Sequence, residues 1–374
     1  MAAIVAIASC GALWLLLGRP KIDSAAGPLG VPELYNGLRI SLAIVAGLGA
    51  VIALAVAYRR QRFNEAQHLL AKVSDSRDSV KLFGERFKSA SEQLGSTEPA
   101  IRLAGAYSLL NLAEDWAAKR QMCVDVLCGY LRMPFDIEFD DGELSYSAVF
   151  DSNKRRDADR ASPKRLPVKT KNSVRQELQV RLAIQRGLAA HLRNPNSKHD
   201  YDEEVLDFWP GVRIDLFGAT LCNFDFGSCE VSWADFRRAA FMGDAKFRRF
   251  CVTNEANFTG AKFFGGATFS GTTWGGHASF VDVAFARTAS FAGATFSIDG
   301  EFNRATFKGE AIFNKAKFGA GAWFSQSTFI GKASFASAEA KDGIRLAGAA
   351  VVNSSAAHLW PGSYTVVDGK LHAS

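Results

Sequence analysis

From Arg213 to about Ala340 a large apolar residue recurs every five or six positions, and this period constrains the fold more than any other feature of the chain. The first steps are all of five residues, and from Phe236 onward steps of five alternate with steps of six. There are 24 such centres, of which 18 are phenylalanine, and the residue two positions earlier is usually alanine. The large exceptions at that earlier position are Ile214, Phe224, Phe250 and Val283.

This spacing favours short stacked strands over a helix. An eleven-residue apolar repeat is also compatible with a right-handed coiled coil. On a helical wheel, however, two successive units would surround the helix and leave no apolar stripe. The intervening residues are often Gly, Asn, Asp, Ser and Thr, which are poor in helix interiors. The small-x-large pattern instead matches a strand, where residues two apart point to the same face, so that stacked coils bury a continuous core.

The same pattern explains why the chain has 29 phenylalanines and only 7 tyrosines. A ring inside the stack has no partner for a phenolic hydroxyl, whereas alanine at the other inward position leaves room for the ring. The predicted core residues are Phe236, Phe241, Phe247, Phe258, Phe263, Phe269, Trp274, Phe280, Phe285, Phe291, Phe296, Phe302, Phe307, Phe313, Phe318, Phe324, Phe329 and Phe335.

The repeat resembles the pentapeptide-repeat family, whose five-residue unit has Ala two positions before a central Leu or Phe. The resemblance implies a right-handed quadrilateral β-helix (β-solenoid) with four units per coil, hence about six coils and a rod roughly 29 Å long. The sixth residue at alternate turns departs from the family pattern. The longer turns include 275–277, 297–299 and 319–321. They predict a 22-residue coil with two longer corners on opposite sides, although a triangular or two-sided coil also fits this spacing.

Upstream of the repeat, residues 87–96 (FKSASEQLGS) and 101–109 (IRLAGAYSL) form a second point of similarity. They resemble the helical region that precedes the repeats in membrane-anchored members of the family. Helical periodicity is visible here without the resemblance, with Thr97 as the expected N-cap of a helix that begins near Glu98. This helix and the next are compatible with a plain packed pair or with one hairpin of the α-solenoid type.

Two apolar segments near the start predict a helical hairpin in a membrane. Residues 40–58 are uncharged, and at 1.5 Å per residue they span roughly 28 Å. Residues 2–17 are shorter and could also be a signal peptide, but no basic region precedes them. Residues 19–39 contain three prolines and three glycines and are expected to form a loop. The basic flank after residue 58 places both termini and the soluble domain in the cytoplasm, at the plasma (inner) membrane.

The chain therefore divides into six regions, and open solenoid ends would invite edge pairing unless they were covered. A helix ending near Arg193 and the tail after residue 342 are the expected covers. The regions are two transmembrane helices at 1–60, a helical region at 61–132, a charged linker at 133–172, a capping helix at 173–210, the repeat β-helix at 211–342 and a C-terminal cap or tail at 343–374.

The sequence contains no pattern typical of an enzyme. Six histidines and six cysteines are scattered without metal-ligand spacing. There is no P-loop, no nucleophile elbow and no dinucleotide fingerprint followed by a helix. We therefore expect no catalytic, cofactor-binding or metal-binding residues. The net charge of +6 is spread thinly along the chain, which argues against nucleic acid as a partner.

The predicted function is a membrane-anchored, non-catalytic protein-interaction scaffold. Its expected partners are the lipid bilayer and an unidentified protein, and a homo-oligomer is also compatible with the sequence. Some pentapeptide-repeat proteins mimic DNA and bind type II topoisomerases, but residues 211–342 contain 14 Lys and Arg against 12 Asp and Glu and so are not acidic. An accessory subunit of a membrane transporter or channel is a further alternative, without support from charges inside the membrane segments.

Overall fold

A computed structural model describes residues 7–8, 11, 14–15, 18–19, 31–135, 168–195, 207–346, 348–362, 364–367 and 369–373. Most of the first predicted membrane segment, 2–17, and of the charged linker, 133–172, lies outside these residues. The chain forms two compact units, Met1–Leu82 and Phe83–Ser374. Each unit is described by itself below.

One helix, α1 (Val31–Leu94), accounts for most of the described part of the first unit and continues into the second. Its stretch Tyr35–Glu65 has a mean hydropathy of 2.6 in its most apolar window, none of which is buried, and is the one candidate membrane span among the described residues. A helical hairpin is not confirmed. The loop predicted at 19–39 is wrong from Val31 onward, because proline is tolerated in the first turn of a helix and Pro32 lies there.

The helices of the second unit pack around a shared apolar core. They are α2 (Pro99–Asp115), a 3-10 helix (Ala117–Lys119), α3 (Arg120–Arg132) and α4 (Val168–Leu192). The N-cap of α2 is Glu98, not Thr97 as predicted, because Pro99 occupies the first helical position. Leu109 and Leu127 are fully buried, as is Leu188 from α4. Helices α2 and α3 thus belong to one packed bundle with α4.

A buried arginine fixes α4 against the other helices. Arg181 is 3% exposed and donates hydrogen bonds to the backbone carbonyls of Leu131 and Met133, at 3.0 and 2.9 Å. Its Nε also pairs with Glu177 Oε1 at 2.8 Å. Glu177 in turn pairs with Arg102 of α2 at 3.2 Å. Because each buried charge has a partner, this network positions the helices without leaving an uncompensated ion.

The solenoid consists of strands of two or three residues, since each small-x-large pair supplies two inward side chains before the chain turns. The strands are β1 (Arg213–Asp215), β2 (Thr220–Cys222), β3 (Glu230–Val231), β4 (Trp233–Asp235), β5 (Ala240–Met242), β6 (Ala245–Lys246), β7 (Cys251–Val252), β8 (Ala256–Asn257), β9 (Lys262–Phe263), β10 (Ala267–Thr268), β11 (Thr273–Trp274), β12 (Ala278–Ser279), β13 (Ala284–Phe285), β14 (Ala289–Ser290), β15 (Thr295–Phe296), β16 (Gly300–Glu301), β17 (Thr306–Phe307), β18 (Ala311–Ile312), β19 (Lys317–Phe318), β20 (Ala322–Trp323), β21 (Thr328–Phe329), β22 (Ala333–Ser334), β23 (Glu339–Ala340), β24 (Ile344–Arg345), β25 (Ala350–Val351), β26 (Tyr364–Val367) and β27 (Lys370–Ala373). The last two are longer and form a terminal hairpin.

These strands stack into four sheets, one for each side of the coil, and all pairs are parallel except those made by β27. Sheets A and C face each other across the coil, as do sheets B and D. The strand orders are β1-β4-β8-β12-β16-β20-β24 in sheet A, β2-β5-β9-β13-β17-β21-β25-β27-β26 in sheet B, β6-β10-β14-β18-β22 in sheet C and β3-β7-β11-β15-β19-β23 in sheet D.

The register gives the length of a coil directly. Ala267 pairs with Ala289, so one coil has 22 residues, whereas in the first coil Thr220 pairs with Ala240 over 20. The 22-residue coil predicted from the alternation of five and six is thus confirmed, and four sheets exclude the triangular and two-sided alternatives. The solenoid has about six coils; its right-handed sense stays a prediction.

Two kinds of corner alternate around the coil. Turns such as 281–282 join sheet A to sheet B and sheet C to sheet D, and their second residue has a positive φ, for example 57° at Arg304 and at Lys315. Bends such as 286–288, from sheet B to sheet C, and 275–277, from sheet D to sheet A, form the other two corners and contain the sixth residue. At these bends successive coils approach closely: a Cβ added to Gly319 would lie 2.1 Å from the Ser297 carbonyl oxygen.

Two glutamines pair with the strand edges at the first end of the solenoid. The Gln185 amide of α4 donates to the Cys222 carbonyl at 3.1 Å and accepts from the Cys222 N–H at 3.3 Å. Gln121 of α3 makes the same pair with Arg213, at 2.8 and 2.9 Å. A primary amide offers one donor side and one acceptor side, as a neighbouring peptide would. Two helices, rather than one, therefore cover the edges of β1 and β2.

At the other end the solenoid continues past residue 342, where the repeat was predicted to end. Strands β24 and β25 extend sheets A and B, with Leu346 and Val351 as buried centres. These centres keep the alternation of five and six. Because they are aliphatic and follow the small centre Ala340, the sequence indicated a tail here and not a further coil. The tail then covers the core: the Trp360 ring contacts those of Phe329 and Phe335, with centroids 5.4 and 5.9 Å apart.

Candidate interaction surface

All eighteen predicted core residues are buried, with at most 4% of any of them exposed. Rings one coil apart stack face to face: Phe258 and Phe280 have centroids 4.8 Å apart at 6°. Rings from sheets A and C meet edge to face across the coil, as Phe280 and Phe291 do at 5.2 Å and 87°. The four large exceptions to the small inward position are also buried. Such a core holds the four outer surfaces rigidly, and its inward side chains are almost all apolar.

Trp274 is the one indole among these core residues, and it carries a polar atom into the rod. Its Nε1 is buried and has no hydrogen-bond partner among the described residues. The centres one coil before and one coil after it in sheet D are Val252 and Phe296. This departure from the apolar lattice does not form a site, since no donor or acceptor converges on it.

The thiols of the second unit are not poised to react. Cys123, Cys128, Cys222 and Cys229 are buried free cysteines, and Cys251 is partly buried. Burial raises the pKa of Cys123 to about 11 and that of Cys128 to about 12. The pKa values of the other three are raised for the same reason. Since the thiolate is the nucleophile and metal ligand, these side chains remain protonated and apolar. No cluster of His, Cys, Asp or Glu suited to a metal occurs in the described ranges.

A cleft of about 370 Å³ lies between α3 and the first strands of sheet A, lined by Asp125, Cys128, Arg132, Arg213, Asp215 and Trp233. Its polar groups are largely used within the protein. Arg132 pairs with Asp215, and the Gln121 amide donates to Asp125 Oδ1 at 2.7 Å. Together with the raised pKa of Cys128, these contacts leave neither a free nucleophile nor a base aimed into the cleft.

Sheet A has an outer surface with charges of both signs. Asp235 accepts from Arg237, with Oδ2 2.6 Å from Nη2, and is itself 1% exposed. Further along the rod the Arg345 guanidinium lies over the Trp323 ring at 4.5 Å. Glu301 lies between these two regions in β16. Such internal pairing is typical of a solvated surface.

Sheet C and sheet D also mix charges at their outward positions. In sheet C, Lys246 pairs with Asp225 at 3.8 Å. In sheet D, Lys317 and Glu339 are exposed neighbours in adjacent strands. Neither surface has a dominant sign of charge.

The outer surface of sheet B is different, because its charged residues are all lysines. Outward positions lie immediately before and after each buried centre, as strand alternation requires. They contain Lys262, Lys308 and Lys370 and no Asp or Glu within the described residues. The remaining outward residues of sheet B are Thr220, Cys222, Ala240, Met242, Phe264, Ala284, Ala286, Thr306, Thr328, Ile330, Ala350, Val352, Val367 and His372. We call this set, together with the three lysines, the lysine surface.

Helix α4 and its neighbours cover only the first end of the lysine surface. Phe135 and Leu178 pack with Cys222, and Met242 is partly buried against the same cluster. Beyond it Ile330 and Val352 are 37% and 64% exposed. Sequence reasoning missed this surface because it followed the inward residues only. The surface would have been found by assigning the two residues that flank each centre to one of the four sides of a 22-residue coil.

A comparison with known protein families supports the assignment of the repeat. Residues 298–349 match a family model described as Pentapeptide repeats (9 copies). The match lies in the last coils of the solenoid and covers less than half of the chain, and it supports the similarity to pentapeptide repeats there. No curated protein matches the chain. No solved structure matches it either.

Proposed function

We propose that this chain is a membrane-anchored pentapeptide-repeat protein that acts as a non-catalytic protein-interaction scaffold. The observation that carries the proposal is the rigid solenoid, in which stacked rings fix four outer surfaces of short parallel strands. Repeat solenoids offer extended binding surfaces rather than catalytic pockets. The paired polar groups of the cleft and its protonated Cys128 thiol fit the same role.

Attachment to the membrane is proposed from α1. The stretch Tyr35–Glu65 is apolar, unburied and long enough to cross a hydrocarbon core of about 30 Å. The basic residues Arg59, Arg60 and Arg62 follow its apolar part. By the positive-inside rule they favour the cytoplasmic side of the plasma (inner) membrane for the soluble unit. Two spans with both termini in the cytoplasm remain the proposed topology.

DNA mimicry is the weaker alternative. A rod that imitates DNA must present negative charge, whereas sheet B of this solenoid presents lysines and the other sheets are mixed. No described feature favours a transporter or channel subunit.

Photocrosslinking in native membranes tests the scaffold. A photoreactive residue would be placed at one outward position per sheet: Ser279 in A, Thr306 in B, Ser290 in C and Thr295 in D. A scaffold gives a discrete protein adduct from some sheets and not from others. Adducts of equal yield from all four sheets, or none from any, would reject the proposal. Proteolysis of right-side-out and inside-out vesicles, followed with the same full-length chain, tests the topology.

A further inference from the structure

We propose that the lysine surface of sheet B docks on an anionic lipid surface. The inference rests on the proposed membrane attachment, because a span on the same chain would hold the solenoid near a bilayer and raise its effective concentration there. It adds a specific orientation: sheet B toward the lipid headgroups, and the other sheets available to protein.

The charge of the lysine surface supports this assignment. Lys262, Lys308 and Lys370 are exposed and form no ion pair with any described residue. Lys262 belongs to strand β9 and Lys308 directly follows strand β17, two steps further along sheet B, hence about 10 Å apart along the rod. Lys370 lies in β27, three further steps along. The three lysines are therefore distributed along one side of the solenoid, where a single anionic surface can contact all of them.

The carboxylates at the edges of the lysine surface do not cancel this charge. At one corner Asp282 is paired with Arg304, at 2.6 Å between Oδ2 and Nη2. At the opposite corner Glu310 pairs with Lys332 at 3.7 Å. Asp244 accepts a hydrogen bond from the Gly266 N–H at 2.9 Å. Two of these three carboxylates are thus paired with a cation, which leaves the positive charge of the three lysines in excess.

The apolar residues of the surface suit a lipid interface as well. Ile330, Val352 and Val367 are 37%, 64% and 50% exposed, all toward the C-terminal end of the sheet. Apolar side chains beside cations strengthen interfacial binding by adding buried apolar area to electrostatic attraction.

Lipid fits this composition better than protein does. Binding energy at protein interfaces is concentrated in Trp, Tyr and Arg anchors that fill pockets, and lysine is depleted there. The outward positions of the lysine surface contain none of these three residue types. Juxtamembrane lysines, by contrast, are each attracted to the anionic leaflet strongly enough to change affinity about fivefold.

Lysine acetylation of the full-length chain tests the docking directly. The chain would be reconstituted in phosphatidylcholine vesicles with or without phosphatidylglycerol, pulsed with acetylating reagent and analysed by peptide mass spectrometry. Lys317, exposed on the opposite sheet D, provides the internal reference for each sample. We expect the acetylation rates of Lys262, Lys308 and Lys370, relative to Lys317, to fall severalfold with phosphatidylglycerol only. The protection should disappear near 1 M salt, where the screening length is about 3 Å.

Equal relative rates in the two kinds of vesicle would overturn the proposal. Protection that is already present in phosphatidylcholine or in detergent would also overturn it, by pointing to self-association or to a protein contact. Flotation with phosphatidylcholine vesicles tests the anchor separately, since a chain that does not float has failed the proposed membrane attachment and not the docking.

A pair of charge-matched variants sharpens the test. Lys262→Glu with Lys308→Glu should abolish the protection of Lys370, whereas Lys315→Glu with Lys317→Glu, which makes the same change of net charge, should leave it intact. In the second variant Lys341 replaces Lys317 as the reference. All four side chains are exposed, and far-UV circular dichroism would verify that both variants fold. Equal loss of Lys370 protection in the two variants would show that net charge, and not this surface, governs the contact.

Discussion

Phe280 and Phe302, one coil apart in sequence, stack almost parallel, with ring centroids 4.9 Å apart and planes inclined by 5°. The separation is close to the spacing of hydrogen-bonded strands, so backbone pairing and ring stacking impose the same repeat distance. Each ring therefore supports the ring above and the ring below. The stability of the rod depends on this column more than on any surface contact.

Removing one ring tests that dependence. Phe302→Ala should lower the free energy of unfolding by about 3–5 kcal/mol, because it removes a fully buried ring and leaves a cavity between Phe280 and Phe324. Denaturant unfolding in detergent, followed by far-UV circular dichroism, measures the change. Thr295→Ala, at an exposed position in sheet D, should stay within about 0.5 kcal/mol of the wild type. Equal effects of the two substitutions would refute the inward assignment of Phe302.

The close approach of the coils at the bends predicts a second effect. Gly319→Ala should destabilise the protein by about 1–3 kcal/mol or more, because the new Cβ would lie 2.1 Å from the Ser297 carbonyl oxygen, a backbone atom. Gly129→Ala in α3 is the matched control, with only the end of the Arg132 side chain near. It should instead stabilise the protein by up to about 1 kcal/mol, since alanine favours a helix. Thermal melts that move in the same direction for both variants would contradict this.

The edge pairing by α4 predicts a third effect. Gln185→Leu should cost about 1–3 kcal/mol for each of the two Cys222 backbone groups left buried without a partner. Gln121→Leu should cost about 1 kcal/mol or less, because its bonds to Arg213 are exposed and water can replace them. Hydrogen exchange of the Cys222 amide should accelerate in the first variant. Unchanged exchange there would mean that the amide of Gln185 does not hold this edge.

The sequence predicted the solenoid well because its determinant is local. Alternation of small and large residues assigns each strand its inward side, and the alternation of five and six sets the 22-residue coil, as the Ala267–Ala289 pair confirms. The capping by Gln121 could not be predicted, because 92 positions separate it from Arg213 and its amide carries no periodic signal. The last coil was also missed, since the aliphatic Leu346 and Val351 follow the small centre Ala340, where the run of phenylalanines ends.

The buried histidine of α4 predicts a dependence of stability on pH. His191 is 7% exposed and stacks on Trp209 with centroids 4.0 Å apart. Burial lowers its pKa below the ordinary value of 6.5, and the nearby Arg120 adds to this. The Asp207 carbonyl and the Glu114 carboxylate, 3.1 Å from Nδ1, act in the opposite direction without reversing it.

The sign follows from which state binds the proton. Below about pH 6.5 the histidine of the unfolded chain is protonated while the folded one resists protonation, so the unfolded state binds more protons. The free energy of unfolding therefore decreases as the pH is lowered. The contribution is complete above pH 6.5 and is lost as pH falls through the lowered pKa, at no more than about 1.4 kcal/mol per pH unit. His191→Phe keeps a ring against Trp209 and removes the titration. The slope of unfolding free energy between pH 7.5 and pH 5 should be smaller in this variant, and parallel slopes would exclude His191 as the source.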